Sequence, residues 1–303
     1  MSKIAFLFPG QGAQTVGMGR QMYDQVPAAR KLFDQANEIL GYDLTKLCFE
    51  GPSEDLDSTV HSQPALFVSG LAAVESIRND LPEVVLGCEA TAGLSLGEYT
   101  AMVFADVMDF GDALRVVQQR AEAMQEASDA TPSGMVSVLG LERGQVDQLC
   151  HDVRQEGETL QVANLLCPGN IVVSGTNEAC ERLPEVAIAA GAIKVVPLAV
   201  AGAFHTPLME SAVRKLAVAL KGVSFSTPTI PVISNVDAKV HQEAEQIRDL
   251  LIKQLVQPVL WEDSMRYLLD QGFDTFYEVG PGRVLRGLLR RIDRKVSCQS
   301  VLG

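Results

Sequence analysis

Gly93-Leu94-Ser95-Leu96-Gly97-Glu98 is the stretch whose residue types and spacing could do chemistry. A serine between two glycines, entered from a short strand over 89–92 and left through a helical stretch over 99–105, has the Gly-x-Ser-x-Gly pattern of a nucleophile elbow. The glycines answer a steric need. So sharp a turn holds its central residue in a strained backbone conformation, and the flanking positions must be nearly free of side chain. The serine hydroxyl is then pushed clear of the sheet, and the next N–H, at a helix start, can stabilise an oxyanion. Gly/Ser turns of five residues also recur by chance, so the rest of the chain must supply a base, a binding group and a cleft.

Four histidines could serve as base: His61, His151, His205 and His241. His205 follows Gly202-Ala203-Phe204 at the junction of two differently patterned units, where clefts form. The other three lie before a helix cap, on a polar helix and in a hydrophilic stretch. An isolated histidine can equally be structural. The binding group is Arg120. Ala113, Val117, Ala121 and Met124 recur at spacings of three and four, which defines the buried stripe of a helix over 112–127, and Arg120 falls on that stripe. An inward guanidinium keeps its proton and is costly to leave alone. Either an internal acid pairs with it, or it waits for an anionic ligand, and its fork suits a free carboxylate.

These groups need elements to position them. An apolar run over 4–8 suits a strand buried on both faces. It ends in Pro9-Gly10-Gln11-Gly12-Ala13-Gln14, either a tight turn or a ligand loop at a strand's carboxyl end. A helix over 28–40 follows. Ser62-Gln63-Pro64 opens another to about 79, with Pro64 at the first helical position and Gln63 just outside. Segments over 84–88 and 90–92 lead into the elbow.

From 133 to 197 the pattern changes to strand 135–139, helix 143–155, strand 161–164, strand 171–174, helix 177–190 and strand 193–197. This βαββαβ order is ferredoxin-like, set as an insertion in a larger α/β unit formed by 1–132 and 198–303. Pro184 should delay or kink the second helix. Beyond it lie a strand over 230–234, a helix over 244–257 containing Gln254, a helix over 264–270 and a strand over 275–279. Gly280-Pro281-Gly282 then turns into a helix from 283 that carries Arg283, Arg286, Arg290, Arg291, Arg294 and Lys295. In so acidic a chain this basic cluster is either a solvated face or a dock for an acidic partner.

The 303 residues, 47% hydrophobic and 21% charged, suit a soluble globular protein with a large core. A net charge of -13 leaves no basic surplus for nucleic acid. The longest apolar run is half a membrane span and is broken by Pro197 and Gly202. Absence of a signal-peptide pattern points to a cytoplasmic protein. Six scattered cysteines and the absence of His-Glu-x-x-His spacing argue for reduced thiols and no metal.

Taken together, the Pro9–Gln14 loop, Gln63-Pro64-Ala65, the Ser95 elbow, Arg120 with Met124-Gln125, His205, Ser234-Asn235-Val236-Asp237, Gln254 and Glu278-Val279-Gly280-Pro281-Gly282 resemble the malonyl-CoA:acyl carrier protein transacylases, in order and over essentially the whole chain. The resemblance implies a large α/β-hydrolase-like subdomain with a parallel sheet, an inserted ferredoxin-like subdomain, and a site between them. It implies Ser95 as the acylated nucleophile and His205 as its base, with no cofactor or metal. The oxyanion hole would use the backbone N–H groups of Gln11 and Leu96. Arg120 would hold the malonyl carboxylate, Gln63 would line that end, and Gln254 would support the histidine through its backbone carbonyl. Asn164 would contribute from the small subdomain.

Two positions depart from the family: Leu94 stands where many members have histidine, and Leu165-Leu166 follow Asn164 where many have a second asparagine. The implied partners are malonyl-CoA and the phosphopantetheine arm of acyl carrier protein, serving fatty-acid synthesis, with the protein a monomer. A polyketide pathway, a serine thioester hydrolase and a catalytically idle carrier-protein docking module are the alternatives.

Overall fold

The computed structural model of the protein describes residues 2–301, so residues 1, 302 and 303 of the two outer segments lie outside the described residues. Among the described residues, β1 (Ile4–Phe8), β2 (Cys88–Gly93), β3 (Ser133–Leu139), β4 (Leu160–Cys167), β5 (Asn170–Thr176), β6 (Lys194–Pro197), β7 (Val232–Ile233), β8 (Thr275–Val279) and β9 (Ser297–Val301) form two sheets. The helices of nine residues or more are α1 (Pro27–Leu40), α2 (Thr59–Asp80), α3 (Leu96–Phe104), α4 (Phe110–Ala130), α5 (Arg143–Val153), α6 (Asn177–Ala189), α7 (Glu210–Lys221), α8 (Ala244–Lys253), α9 (Trp261–Asp270) and α10 (Val284–Ile292).

The large sheet is parallel throughout, in the order β7-β2-β1-β8-β9. Its centre is dictated by β1. Successive strand side chains point to opposite faces, so Phe6 and Phe8 pack into one core while Ala5 and Leu7 pack into another. On the first face they meet Phe67 of α2, Met102 of α3 and Val117 of α4; on the second, Trp261 and Met265 of α9 and Leu289 of α10. The chain pairs β1 with β2 on one side and returns to pair it with β8 on the other. Such a switch point opens a crevice at the carboxyl ends of the strands. The loops after β1, β2, β7 and β8 all arrive there.

The smaller sheet is antiparallel, in the order β4-β5-β3-β6. Val146 and Leu149 of α5 and Leu183 and Ala187 of α6 pack with Val136, Val138 and Val173 in its own core. This is the strand order of a βαββαβ ferredoxin-like unit, as the sequence pattern implies. Two backbone bonds tie it to the larger body: Leu165 N–H to the Val259 carbonyl (2.9 Å) and Val259 N–H to the Ala163 carbonyl (2.8 Å). No described helix is long and apolar enough to cross a membrane.

Several local expectations are corrected. Pro64 does not open a helix: α2 begins at Thr59 and runs through it. The ring removes the N–H that would meet the Val60 carbonyl, but residues 62–74 are all buried, and packing on every side outweighs one lost bond. Gln63 therefore lies inside a helix rather than at its cap. Pro184 likewise sits within α6, which starts on time at Asn177. The stretch over 84–88 that leads toward the elbow is mostly a helical turn, Pro82–Leu86, started by a proline at its first position. The 230–234 strand shrinks to Val232–Ile233, and the 244–257 helix ends at Lys253 with Gln254 as its C-cap. The last helix ends at Ile292 with Asp293 as its C-cap, so Arg294 and Lys295 lie beyond it. β9, the edge strand, shows alternating partial exposure and little apolar signal, and it was not anticipated.

The elbow glycines are required by close approach. A Cβ on Gly97 would lie 2.1 Å from the Phe8 carbonyl oxygen, and one on Gly93 would lie 1.9 Å from the Gly97 carbonyl carbon. Gly97→Ala must push α3 off β1. We expect it to destabilise the protein by roughly 1–3 kcal/mol through overpacking and to slow labelling of Ser95 by a serine-reactive phosphonate. Thermal melting and labelling rate measure the two effects, and unchanged values in both would show that the contact is relaxed at little cost.

Candidate active site

Ser95 sits between the carboxyl end of β2 and the first residue of α3 with φ of 50° and ψ of -100°, a conformation L-residues rarely adopt. Two bonds from one side chain hold it. Asn235, just past β7, accepts the Ser95 N–H at its Oδ1 (2.7 Å) and donates Nδ2–H to the Gly93 carbonyl (2.7 Å). The hydroxyl faces His205, with Oγ 3.0 Å from Nε2. His205 also has positive φ, 62°, and its backbone is steadied by Gln161 of β4, which donates Nε2–H to its carbonyl (3.2 Å). Among the described residues four non-glycines have positive φ, and two of them, Ser95 and His205, are the pair that meet; Asp106 and Ala238 are the others.

The hydrogen bonds assign the tautomer. His205 Nδ1 is 2.7 Å from the Gln254 backbone carbonyl, which can only accept, so Nδ1 carries the proton. Nε2 then offers its lone pair to the Ser95 O–H. With its own proton directed at Nε2, Ser95 Oγ accepts from Arg120 Nη2 (3.1 Å). The histidine is 3% exposed, and burial pulls its pKa down from 6.5 to about 4. The Gln254 bond opposes that shift and the Arg120 charge adds to it. His205 is therefore neutral at neutral pH and able to take a proton.

Arg120 projects from α4 and is 1% exposed. Besides Ser95 Oγ, its partners are amide oxygens: Nη1 donates to Gln63 Oε1 (2.6 Å) and Nη2 to Gln254 Oε1 (2.9 Å). Among the described residues no carboxylate forms an ion pair with it, and its Nε finds no acceptor. Burial acts to lower its pKa, with Tyr99 and Glu98 opposing, yet a guanidinium keeps its proton in such a setting. Of the two possibilities left open by its place on the stripe, the site thus shows a buried cation held by neutral dipoles, with donor capacity to spare.

A pocket of about 170 Å³ opens over these groups and is lined by Gln11, Ser95, Leu96, Arg120, Asn164 and His205. Its remaining wall is apolar, with Leu94, Leu166, Leu198 and Phe204 from the elbow and the small subdomain side, and Val284 and Leu288 from α10. Both departures, Leu94 and Leu166, therefore face this space. A larger, open depression between α4 and α7, lined by Gln119, Glu122, Arg214 and Lys215, holds none of these groups. A serine, a neutral histidine and an unneutralised arginine around an apolar pocket can do acyl transfer on a substrate that carries an anion.

The acyl transferase domain family covers residues 5–301 of the chain. The malonyl CoA-acyl carrier protein transacylase of Bacillus subtilis is 44% identical over 99% of this chain and 94% of its own. The chain belongs to the malonyl-CoA:acyl carrier protein transacylase family. Solved structures agree with this fold. The transacylase of Coxiella burnetii superposes with a TM-score of 0.94 at 37% identity, covering 99% of this chain and 94% of its own. A malonyl-transacylase in complex with its type II PKS acyl-carrier protein superposes with a TM-score of 0.95 at 39% identity, covering 99% and 96%.

Against the residues expected for this transacylase family, the structure gathers all eight into one neighbourhood. Gln11, Leu96, Asn164, Ser95, Arg120 and His205 line the pocket, and Gln63 and Gln254 grip Arg120 from behind it. His61, His151 and His241 are elsewhere: the first beside Ser58, the second exposed, the third paired with Asp237. Three supporting residues were missed. Asn235 belongs to the Ser234–Asp237 motif, and a polar residue at the end of an apolar strand is its signal. Glu98 is an acid in an otherwise apolar first turn. Gln161 alternates with buried neighbours on β4 and carries no distinguishing pattern.

Because the folded-state pKa of His205 lies below the ordinary 6.5, at about 4, the unfolded chain binds its proton first. This group's contribution to stability is therefore intact above about pH 6.5 and is lost as pH falls from there toward 4. In the folded enzyme, phosphonate labelling of Ser95 should stay level as pH falls through 6.5 and decline only toward 4. A decline centred at 6.5 in protein that remains folded would contradict a buried, neutral His205.

Proposed function

We propose that this protein moves the malonyl group from malonyl-CoA to the phosphopantetheine thiol of an acyl carrier protein through a malonyl ester of Ser95. The observation that carries the reading is the buried Arg120, held by two amide oxygens beside the Ser95–His205 pair and left with an uncancelled charge. In the first half-reaction Ser95 Oγ attacks the thioester carbonyl while its proton passes to His205 Nε2. The tetrahedral oxyanion is taken by the backbone N–H groups of Leu96, first in α3 and so without an intrahelical acceptor, and of Gln11. Collapse breaks the C–S bond, and His205 returns the proton to the leaving CoA sulfur. The second half-reaction reverses these roles, with the carrier's thiol giving its proton to His205 and attacking the ester.

Arg120 is the selectivity determinant in this reading. A carboxylate-bearing acyl group gives the pocket-lining guanidinium a charged acceptor, whereas an acetyl group leaves its charge with neutral partners alone. A charge-assisted bond contributes about 1.5–3 kcal/mol, enough for roughly 10- to 150-fold discrimination. Gln63 and Gln254 orient the fork, and Asn164 faces the acyl or pantetheine end from β4. No cofactor enters any step, and both transferred groups arrive on their carriers.

The carrier would dock at the pocket mouth. Val284 and Leu288 of α10 line the pocket, and Arg286 and Arg290, four apart on the same helix, are exposed. This surface suits an acidic carrier protein. Fatty-acid synthesis in the cytoplasm, with the transacylase acting as a monomer, is the setting we favour. The structural relative bound to a type II PKS carrier makes a polyketide carrier the second reading.

Brief exposure to malonyl-CoA should leave one malonyl adduct on intact protein by mass spectrometry, stable until a thiol acceptor is added. A hydrolase would lose it to water, and an idle docking module would form none. Arg120→Ala should lower malonyl transfer at least tenfold, in line with the loss of a charged bond, while sparing or raising acetyl transfer. A variant that kept the wild-type malonyl-to-acetyl ratio would remove Arg120 from this role. Charge reversal at Arg286 and Arg290 should raise the KM for carrier protein several-fold with little change in KM for malonyl-CoA, since rim charges act mainly on encounter. An unchanged carrier KM would move the dock elsewhere.

A further inference from the structure

Behind the pocket, Glu98 is a buried acid that the two half-reactions do not use. It lies in the first turn of α3, is 1% exposed, and meets the three segments that build the site. Its Oε2 accepts from Gln254 Nε2 (2.6 Å) and from the Asn235 backbone N–H (3.3 Å). The same Gln254 amide donates its other hydrogen to the Ser95 carbonyl (3.0 Å) and turns its oxygen to Arg120 Nη2 (2.9 Å). Asn235 in turn clamps the elbow at Ser95 and Gly93. An amide has one accepting end and one donating end, so what holds the NH2 of Gln254 also decides that its oxygen faces the guanidinium.

We propose that Glu98 is a positioning residue for malonyl selectivity, its Oε2 reaching behind the pocket to hold the Gln254 amide so that Arg120 keeps a neutral oxygen partner and its charge. This inference rests on the malonyl-transfer reading above. Reach carries the role rather than charge. Burial, only partly opposed by the bonds from Gln254 and Asn235 and by the charge of Arg120, and aided by Asp237, leaves the Glu98 carboxyl raised to about 7. A proton on Oε1 would leave Oε2 as an acceptor, so the two bonds persist in either state. The base is not held through Glu98, because the Gln254 group that supports His205 is the backbone carbonyl, and the elbow keeps its two Asn235 side-chain bonds without Glu98.

Two conservative variants separate reach from charge. Glu98→Gln keeps an acceptor at the same distance and removes the charge. Glu98→Asp keeps the charge and withdraws the acceptor by about 1.5 Å, one carbon–carbon bond. The measurement is kcat and KM for malonyl and acetyl transfer, with thermal melting to verify folding. Glu98→Gln should hold the malonyl-to-acetyl ratio of kcat/KM within about twofold. Glu98→Asp should lower it roughly tenfold, the worth of one charge-assisted bond, with acetyl kcat retained. Should Glu98→Asp not fold, Glu98→Leu removes the acceptor altogether and carries the same expectation.

The opposite pattern, selectivity kept in Glu98→Asp and lost in Glu98→Gln, would make Glu98 a charge balance for Arg120 and overturn the proposal. Selectivity kept in both, or lost in both, overturns it as well. Wild-type protein that formed no malonyl adduct would instead bring down the functional reading itself.

Discussion

A positive charge buried without a negative partner is the constraint on which this site depends. Removing a guanidinium from water is costly unless its donors are bonded. An acid beside Arg120 would meet that cost most directly, and it would also cancel the charge. Here Gln63 and Gln254 supply amide oxygens instead, and the nearest acid, Glu98, is held one residue away with Gln254 between them. The cation is solvated but not neutralised. Much of the surrounding architecture follows from this: α2 must continue through Pro64 to deliver Gln63, and α8 must end where Gln254 can give its backbone to His205 and its side chain to Arg120.

The second requirement is strain held in place. Ser95 and His205 both have positive φ without being glycine, conformations that cost on the order of 1–3 kcal/mol each. Neither is supported by its own element alone. Asn235 reaches from the loop after β7 to clamp both sides of the elbow, and Gln161 reaches from the small sheet to hold the His205 carbonyl. The two sheets thus meet at the reacting pair, so the position of the smaller unit bears directly on the serine–histidine geometry. The buried cores on both faces of β1 offset the cost.

Patterns governed by local physics were readable before any coordinates. The all-apolar β1 named a central parallel strand, the βαββαβ rhythm named the inserted unit, and the glycines around Ser95 announced a close approach that the packing of Gly97 on Phe8 bears out. Errors fell where tertiary packing overrode local preference. Pro64 and Pro184 ordinarily mark helix starts or breaks, yet both lie within helices, and α2 in particular is buried nearly all round. Residues 84–88 have a strand-like composition, but Pro82 starts a helical turn that leaves Leu86 exposed.

The sequence by itself determined the reagents. A serine at an elbow, a histidine at a domain junction and an arginine on a buried stripe are each set by neighbours within a turn or two, where steric and periodic rules operate. Whether Arg120 would be cancelled or kept as a live charge was decided only by tertiary structure. That outcome depends on which atoms of Gln63, Gln254 and Glu98, separated by up to 191 positions in sequence, come within hydrogen-bond reach of one another. No local pattern encodes such a distance. It arises when the strands of the large sheet align and bring their carboxyl-end loops into one crevice.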